Sequence, residues 1–391
     1  MLVAVFLALL TLFYLFLISF LIVYWNRITV FRIPDTFIPK TKISIVVPVR
    51  NEAAHLASCI ESLLNQEYPR DLCEILIVDD QSYDETPDIA AAFDDSRIQY
   101  MRLGVEGRTT IEGSKKKAIA YGVNHAKGTL IVTTDGDCTL PVRWLKSIAA
   151  QYEQDAVRLL AGAVIPTRYR NWLEAFISLD MMNTFVIQAA GVKSGSYFIC
   201  SGANLAYERK AFIESEPYNT NLHIASGDDI FLIDKFKTRY PGQLAILKSN
   251  EAVCLTEPPA DLASFFNQRL RWAGKMKKTS GTATILLATF IWLHRIIPMA
   301  ALIIGLLLHD NLYIFSGTIA IGIGWLLDFA MLYQAVSFFG SNKLLYWFIP
   351  SEIFYTIYFL FSGSSAGCQC NSNGRIAGLA FDLSTPLVDE L

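Results

Sequence analysis

The chain has 391 residues, of which 53% are hydrophobic, so it holds one large domain plus additional elements and is more apolar than a soluble protein of that size. A net charge of -3, from 33 basic and 36 acidic residues, argues against a general nucleic-acid binder. The seven cysteines are odd in number and scattered without zinc-ligand spacing, so they read as reduced, mostly buried thiols of a cytosolic domain.

Residues 2–24 carry no charge, which fits a membrane span of about 20 residues. A cleaved signal peptide is disfavoured, because the segment has neither a basic leader nor a small-residue cleavage site. The span ends on Tyr24-Trp25-Asn26-Arg27, and Arg32, Lys40 and Lys42 follow. By the positive-inside rule this sets the amino terminus outside and the bulk of the chain in the cytoplasm.

Residues 43–49, Ile-Ser-Ile-Val-Val-Pro-Val, form an apolar run suited to a parallel strand buried on both faces. From Arg50-Asn51-Glu52 the spacing of Leu56, Cys59, Ile60, Leu63 and Leu64 predicts a helix. A second strand, Glu74 to Val78, closes on Asp79-Asp80-Gln81-Ser82, and Asp84 to Pro87 opens another helix. Strand, helix, strand, helix at this spacing predicts a doubly wound α/β sheet. A short strand follows between Arg97 and Tyr100, then a glycine-rich basic loop from Gly104 to Lys117. The loop is not a P-loop, since its spacing is too long and no Gly-Lys-Ser/Thr closes it, and no Gly-x-Gly-x-x-Gly follows a strand. Lys115, Lys116 and Lys117 read either as a solvated face or as the source of one lysine, Lys115, beside a diphosphate.

Leu130 to Cys138 reads as a strand whose end carries Asp135 and Asp137 around Gly136. Side chains two apart in an extended chain share a face, so these acids are expected to hold one divalent cation just past a strand's carboxyl end. A surface turn with two solvated aspartates is the plain alternative.

The ordered set Pro48-Val49-Arg50-Asn51-Glu52, Val78-Asp79-Asp80-Gln81-Ser82, Lys115, Asp135-Gly136-Asp137, Cys200-Ser201-Gly202-Ala203-Asn204, Ser226-Gly227-Asp228-Asp229 and Gln268-Arg269-Leu270-Arg271-Trp272 resembles the family 2 inverting glycosyltransferases of GT-A fold. Its last member is similar to the Gln-x-x-Arg-Trp signature of membrane synthases of β-linked glycans. The resemblance implies a nucleotide-sugar donor, usually a UDP sugar, and Mg2+ or Mn2+. It also implies roles: Pro48 and Arg50 at the donor, Glu52 near the ribose, Asp80 with Asp79 at the base, and Lys115 at the diphosphate. Asp135 and Asp137 would hold the metal, and Asp229, with Asp228 beside it, would be the base that deprotonates the acceptor. A helix cap ahead of Ile230 explains Asp228 and Asp229 equally well.

Gln268, Arg271 and Trp272 fall three and four apart on a predicted helix, an arrangement suited to diphosphate contact and sugar stacking, and the resemblance implies that Gln268 and Arg271 contact the donor while Trp272 is the platform for the acceptor sugar. Anchoring at the membrane interface, with Arg271 snorkelling, is the competing account. Residues 172–192 are expected to lie as an amphipathic segment on the bilayer surface. Apolar blocks at about 283–308, 312–339 and 344–361 predict further spans, the first being a hairpin or re-entrant element if Arg295 interrupts it. The expected organisation is thus a span at 1–25, a GT-A domain at 40–280, spans at 281–361 and a polar tail at 362–391 that departs from the family's basic, aromatic end. This describes a multi-pass enzyme of the cell (inner) membrane, facing the cytoplasm and acting on a lipid-linked or glycan acceptor. Processive synthesis would need a homo-oligomer or export partner, because few polar residues are legible to line a path. A non-catalytic membrane scaffold is the rival from another class.

Overall fold

A computed structural model describes residues 1–104, 114–219, 227–279 and 282–365. The chain opens with α1 (Leu2–Asn26), whose buried residues Leu7, Leu10, Tyr14, Ile18, Leu21 and Trp25 recur at helical spacing and form one inward stripe. Its other face, with Phe6, Leu9, Leu12 and Phe16, is exposed and apolar.

The α/β elements then follow in order: β1 (Ile43–Val49), α2 (Leu56–Leu64), β2 (Cys73–Asp79), α3 (Thr86–Ala91), β3 (Ile98–Arg102), α4 (Lys115–His125), β4 (Leu130–Thr133), β5 (Cys138–Thr139), α5 (Trp144–Asp155), β6 (Leu159–Gly162) and β7 (Val164–Pro166). After α6 (Trp172–Ser194) come β8 (Leu205–Glu208), α7 (Arg209–Ser215), α8 (Asp228–Arg239), β9 (Leu244–Leu247), β10 (Cys254–Thr256) and α9 (Leu262–Thr279). Three long helices close the described chain: α10 (Thr282–Leu308), α11 (Asn311–Phe338) and α12 (Phe348–Ser365).

Among the described residues the main sheet has seven strands in the order β3-β2-β1-β4-β8-β6-β9, and a second has three, β5-β10-β7. The first four strands of the larger sheet are parallel, whereas β8 runs antiparallel to β4 and β6. All seven residues of β1 are buried, because helices cover both faces. Ile43, Ile45, Val47 and Val49 face a core with α2 and α5, while Val46 faces a core shared with α4, α6 and α1. Gly122 permits the close approach of α4, since a Cβ there would lie 2.6 Å from Val46 Cγ1. Pro48 sits in this central strand without loss, because pairing to β4 has already stopped at Val46.

Several boundaries differ from those expected. Helix α2 begins at Leu56 rather than at Arg50, because Asn51 adopts a left-handed φ of 57° and turns the chain first. Strand β4 ends at Thr133, so Asp135 and Asp137 lie in a turn and not on an extended strand. Helix α10 is continuous through Arg295, which rules out a hairpin there. Helix α6 does not lie on a surface: 14 of its 23 residues are buried between the sheet and α1 and α11. Cys59, Cys73, Cys138, Cys200 and Cys254 are buried and free, as expected. Most of the loop after Gly104, Ser226, and the tail beyond Ser365 fall outside the described residues.

Among the described residues four helices, α1, α6, α10 and α11, are long and apolar enough to cross a membrane. Their interior holds a cluster of buried polar groups: Tyr14 of α1 donates to Asp328 of α11, and Arg295 of α10 pairs with Asp328 at 2.7 Å and with Glu352 of α12. His294 stacks on Tyr14 at 3.9 Å against Gly324, where a Cβ would meet the imidazole at 2.5 Å. Charged groups in apolar surroundings are costly unless paired, which explains their convergence on one point.

One segment after β9 fastens the sheet to these helices. Lys248 Nζ donates to the carbonyls of Trp25 and Ile28, both at 3.1 Å, and lies 3.7 Å over the Trp25 ring, at the carboxyl end of α1. Asn250 Nδ2 donates to the Phe338 carbonyl at the end of α11 at 2.8 Å. Burial lowers the Lys248 ammonium to about 8. Lys248→Met is expected to cost about 2 kcal/mol of stability, seen as a lower melting temperature in detergent, with no comparable loss for exposed Lys127→Met.

Candidate active site

The tips of β1 and β2 are bent by two non-glycine residues in left-handed conformation, Asn51 at φ 57° and Gln81 at φ 64°. Such backbone persists only where neighbours hold it. Here Asn51 N donates to Ser82 Oγ at 2.9 Å, Tyr83 N to Asn51 Oδ1 at 3.0 Å, and Glu52 N to Thr86 Oγ1 at 2.8 Å. The two aspartates between them divide their work. Asp79 is fully buried and accepts from Ser82 N at 2.8 Å, Ser82 Oγ at 2.6 Å and Tyr100 Oη at 2.7 Å, so its oxygens are committed to the loop. Asp80 is also buried, with Arg50 3.7 Å from Oδ2, yet its Oδ1 has no hydrogen-bond partner among the described residues. Burial raises its carboxyl above the usual range. A buried unsatisfied oxygen at a strand tip is what a ligand donor would complete.

At the end of β4, Asp135 Oδ1 lies 2.5 Å from Lys115 Nζ, and Lys115 Nζ is 3.6 Å from Asp228 Oδ2. Lys115 is the first residue of α4, which Ser114 caps. Burial opposes its charge, but Asp135 and Asp228 outweigh that and raise its ammonium. Asp137 Oδ2 accepts from Thr256 Oγ1 at 3.2 Å, on β10. Gly136 lets this turn fold against β1, since a Cβ would lie 3.0 Å from Val49 Cγ1 and 3.1 Å from Glu52 Cγ. Burial, then Asp137 and Asp135, push Glu52 up to about 7, and burial and Asp135 raise Asp137. The turn is thus short of positive charge. Among the described residues no three His, Cys, Asp or Glu side chains converge into a complete metal site. Two aspartates with ligand oxygens still to be supplied suit a Mg2+-like ion, which keeps several non-protein oxygens.

A carboxyl held above its unfolded value stabilises the fold while neutral, and that contribution is lost as pH rises through the folded value. For Glu52 the window runs from 4.5 to about 7. Glu52→Gln should therefore raise the melting temperature of metal-free protein near about pH 8, the gain shrinking as pH falls toward about 5. An equal gain at both pH values would contradict the assignment.

Opposite this turn, Gly227 at φ 91° starts α8 and presents Asp228 and Asp229 in its first turn. Asp228 is buried, Asp229 is half-buried, and Asp229 Oδ1 accepts from Ile230 N at 2.9 Å. Beneath them runs Cys200–Asn204: a Cβ on Gly202 would lie 2.9 Å from Asp228 Oδ2. Asn204 braces the segment by donating to the carbonyls of Ala163 at 2.7 Å and Ala252 at 2.8 Å. Thr256, which donates to Asp137, and Tyr100, which donates to Asp79, have no individual signal in the sequence, because each comes from a different element and acts through another residue.

Glu52, Lys115, Asp135, Asp137, Asp228 and Asp229 thus meet in one place, with Arg50, Asp79 and Asp80 at the neighbouring strand tips. Gln268, Arg271 and Trp272 lie on α9, and they are not equivalent. Arg271 is exposed, while Gln268 and Trp272 are half-buried. The buried arginine is Arg269, 2.5 Å from Asp180 and 4.4 Å over the Trp272 ring.

A mixed sheet of this order, with acids at the ends of β2 and β4, defines a GT-A nucleotide-sugar fold. Solved structures share it: the mannosyltransferase PcManGT of Pyrobaculum calidifontis, in complex with GDP-Man and Mn2+, matches 93% of this chain and 97% of its own at a TM-score of 0.52 and 18% identity. The family model for glycosyl transferase family 2 matches residues 44–215, and that for glycosyl transferase family group 2 matches residues 130–362, more than half the chain. The chain belongs to the family 2 glycosyltransferases. Among curated relatives, glycosyltransferase AglE of Haloferax volcanii is 30% identical over 188 residues, 48% of this chain and 59% of that protein. An N-acetylglucosaminyltransferase of Rhizobium sp. is 23% identical over 277 residues, 64% of this chain and 58% of that protein. The chain spans less than two thirds of the length of these relatives.

Proposed function

We propose that this glycosyltransferase moves a sugar, with inversion, from a nucleoside diphosphate sugar to a lipid-linked or glycan acceptor at a membrane surface. The observation that carries the reading is Lys115 Nζ, 2.5 Å from Asp135 and 3.6 Å from Asp228, because it joins the acids of the donor side to those of the acceptor side. Asp80, with its free oxygen and Arg50 nearby, would bind the base, and Glu52 would lie by the ribose. Asp79 is left a supporting role. Asp135 and Asp137 are the residues to hold Mg2+ or Mn2+, which when bound neutralises charge on the departing diphosphate. Lys115 adds a positive charge on the same side. Asp229 takes the proton of the acceptor hydroxyl as its oxygen attacks the anomeric carbon from the face opposite the leaving group. The bond to the diphosphate oxygen breaks in the same displacement, so the product is inverted.

A screen of nucleotide sugars with membrane extract, followed by mass analysis of the product, tests this. UDP sugars come first, then GDP-mannose, the ligand of the Pyrobaculum enzyme. Transfer abolished by a chelator and restored by Mg2+ or Mn2+ supports the reading. No turnover of any nucleotide sugar would leave the scaffold account standing. Product length separates one or a few transfers, the favoured outcome for this chain alone, from processive synthesis.

The proposed placement is cytoplasmic. Lys248 and Asn250 fasten the catalytic domain to the carboxyl ends of α1 and α11, and Asp310 caps the opposite end of α11. With the basic residues after α1 marking the inner side, a cysteine introduced near Asp310 should react with an impermeant reagent in intact cells, and one near Lys343 should not. The reverse pattern would invert the topology.

A further inference from the structure

We propose that Asp180, Arg269 and Tyr355 are positioning residues that fix the Trp272 indole. The functional half of this inference rests on the reading of α9 as an acceptor platform; the structural half does not. Arg269 and Asp180 are each only 7% exposed and 2.5 Å apart, the one on α9 and the other on α6. Tyr355 of α12 donates its hydroxyl to Asp180, so a third helix secures the carboxylate. The guanidinium held in this way lies 4.4 Å over the Trp272 ring and 5.0 Å over that of Phe265, so it is clasped between two aromatic faces.

A buried ion pair by itself is weak evidence of more than a structural part, since apolar replacements often serve as well. Two features separate this one. A planar guanidinium stacks on an indole and orients it, which an apolar side chain or an ammonium of equal charge does not. The indole it orients is half-buried and thus retains access to a ligand. The support also continues inward. One turn of α12 carries both Tyr355 and Glu352, Glu352 pairs with Arg295, and the Arg295 guanidinium lies 5.5 Å over the Tyr355 ring. Phe354, between them, packs edge-on against Trp172 at 5.1 Å and Phe176 at 4.8 Å. The setting of Trp272 is therefore determined from α6, α9 and α12 together.

The test reads the indole directly. The full chain, labelled with 5-fluorotryptophan in detergent, should give a fluorine resonance for Trp272 that is assigned by its loss in Trp272→Phe. Arg269→Lys keeps the charge opposite Asp180 and removes the stacking plane, so it should fold with a near-normal melting temperature. The Trp272 resonance is expected to move and broaden in Arg269→Lys and in Tyr355→Phe, while that of Trp144, bonded to Asn204 at 3.0 Å, stays in place. A Trp272 resonance unmoved in both variants overturns the proposal. Transfer to a lipid extract of membranes supplies the second arm: the apparent KM for the extract should rise about tenfold, a loss of about 1.4 kcal/mol, with the donor KM and donor hydrolysis unchanged. If the resonance moves and the extract KM does not, the positioning stands and the acceptor reading of Trp272 fails.

Discussion

Asp229→Asn should lower transfer by about a thousandfold while nucleotide binding in the presence of metal stays near normal. An amide is nearly isosteric with a carboxylate, and the hydrogen bond that Ile230 N gives to Oδ1 can be retained, so the fold of α8 is preserved. What is lost is the capacity to accept a proton. In the proposed mechanism the base acts on the acceptor and the donor is held elsewhere, so donor affinity measured by calorimetry with the nucleoside diphosphate should change little. Near-normal turnover with a true acceptor would remove Asp229 from the mechanism. Asp228→Asn is a useful contrast, since that buried carboxylate faces Lys115 and its loss should disturb both substrates.

The second large effect is expected on the donor side. Asp137→Ala removes the partner of Thr256 and one of the two carboxylates of the turn, and metal-dependent donor binding should weaken by about a hundredfold or more, close to 3 kcal/mol. Nucleotide binding without metal should fall far less. If both fall equally, Asp137 supports the loop and does not hold an ion. The variant should not unfold the domain, because the carboxylate is raised by its surroundings and so contributes little to stability while ionised.

Much of this site was legible because acids at strand ends are rare enough to stand out, and the strands themselves announce their burial. The run Ile43 to Val49 can hardly be other than a central strand, and Asp79 ends one with Asp80 directly after it. Local geometry was less legible. Asn51 turns the chain before α2 because Ser82 and Tyr83 hold it, partners more than thirty residues away that no periodicity can supply. The same holds for α9. Spacing places Gln268, Arg271 and Trp272 on one face, but only the neighbour Asp180 decides that Arg269 turns inward and Arg271 outward. Helix α6 departs from its expected surface position for a related reason: its apolar residues run around the whole helix, which marks burial on all sides.

The shared core has a practical consequence for anyone cutting this protein. Side chains of α1 and α11, among them Ile18, Leu21, Met331 and Val336, belong to the same contiguous cluster as Val46, Leu76 and Ile131 of the sheet. A fragment beginning at residue 40 and ending near residue 280 would lay open the side of α6 that packs against α1 and α11, an apolar surface that water does not tolerate. The helices are thus part of the packed body of the protein. Production as an isolated, tail-less domain should therefore yield aggregate, and a crystallisable or assayable form is expected to retain α1 and α11 even when no lipid is wanted.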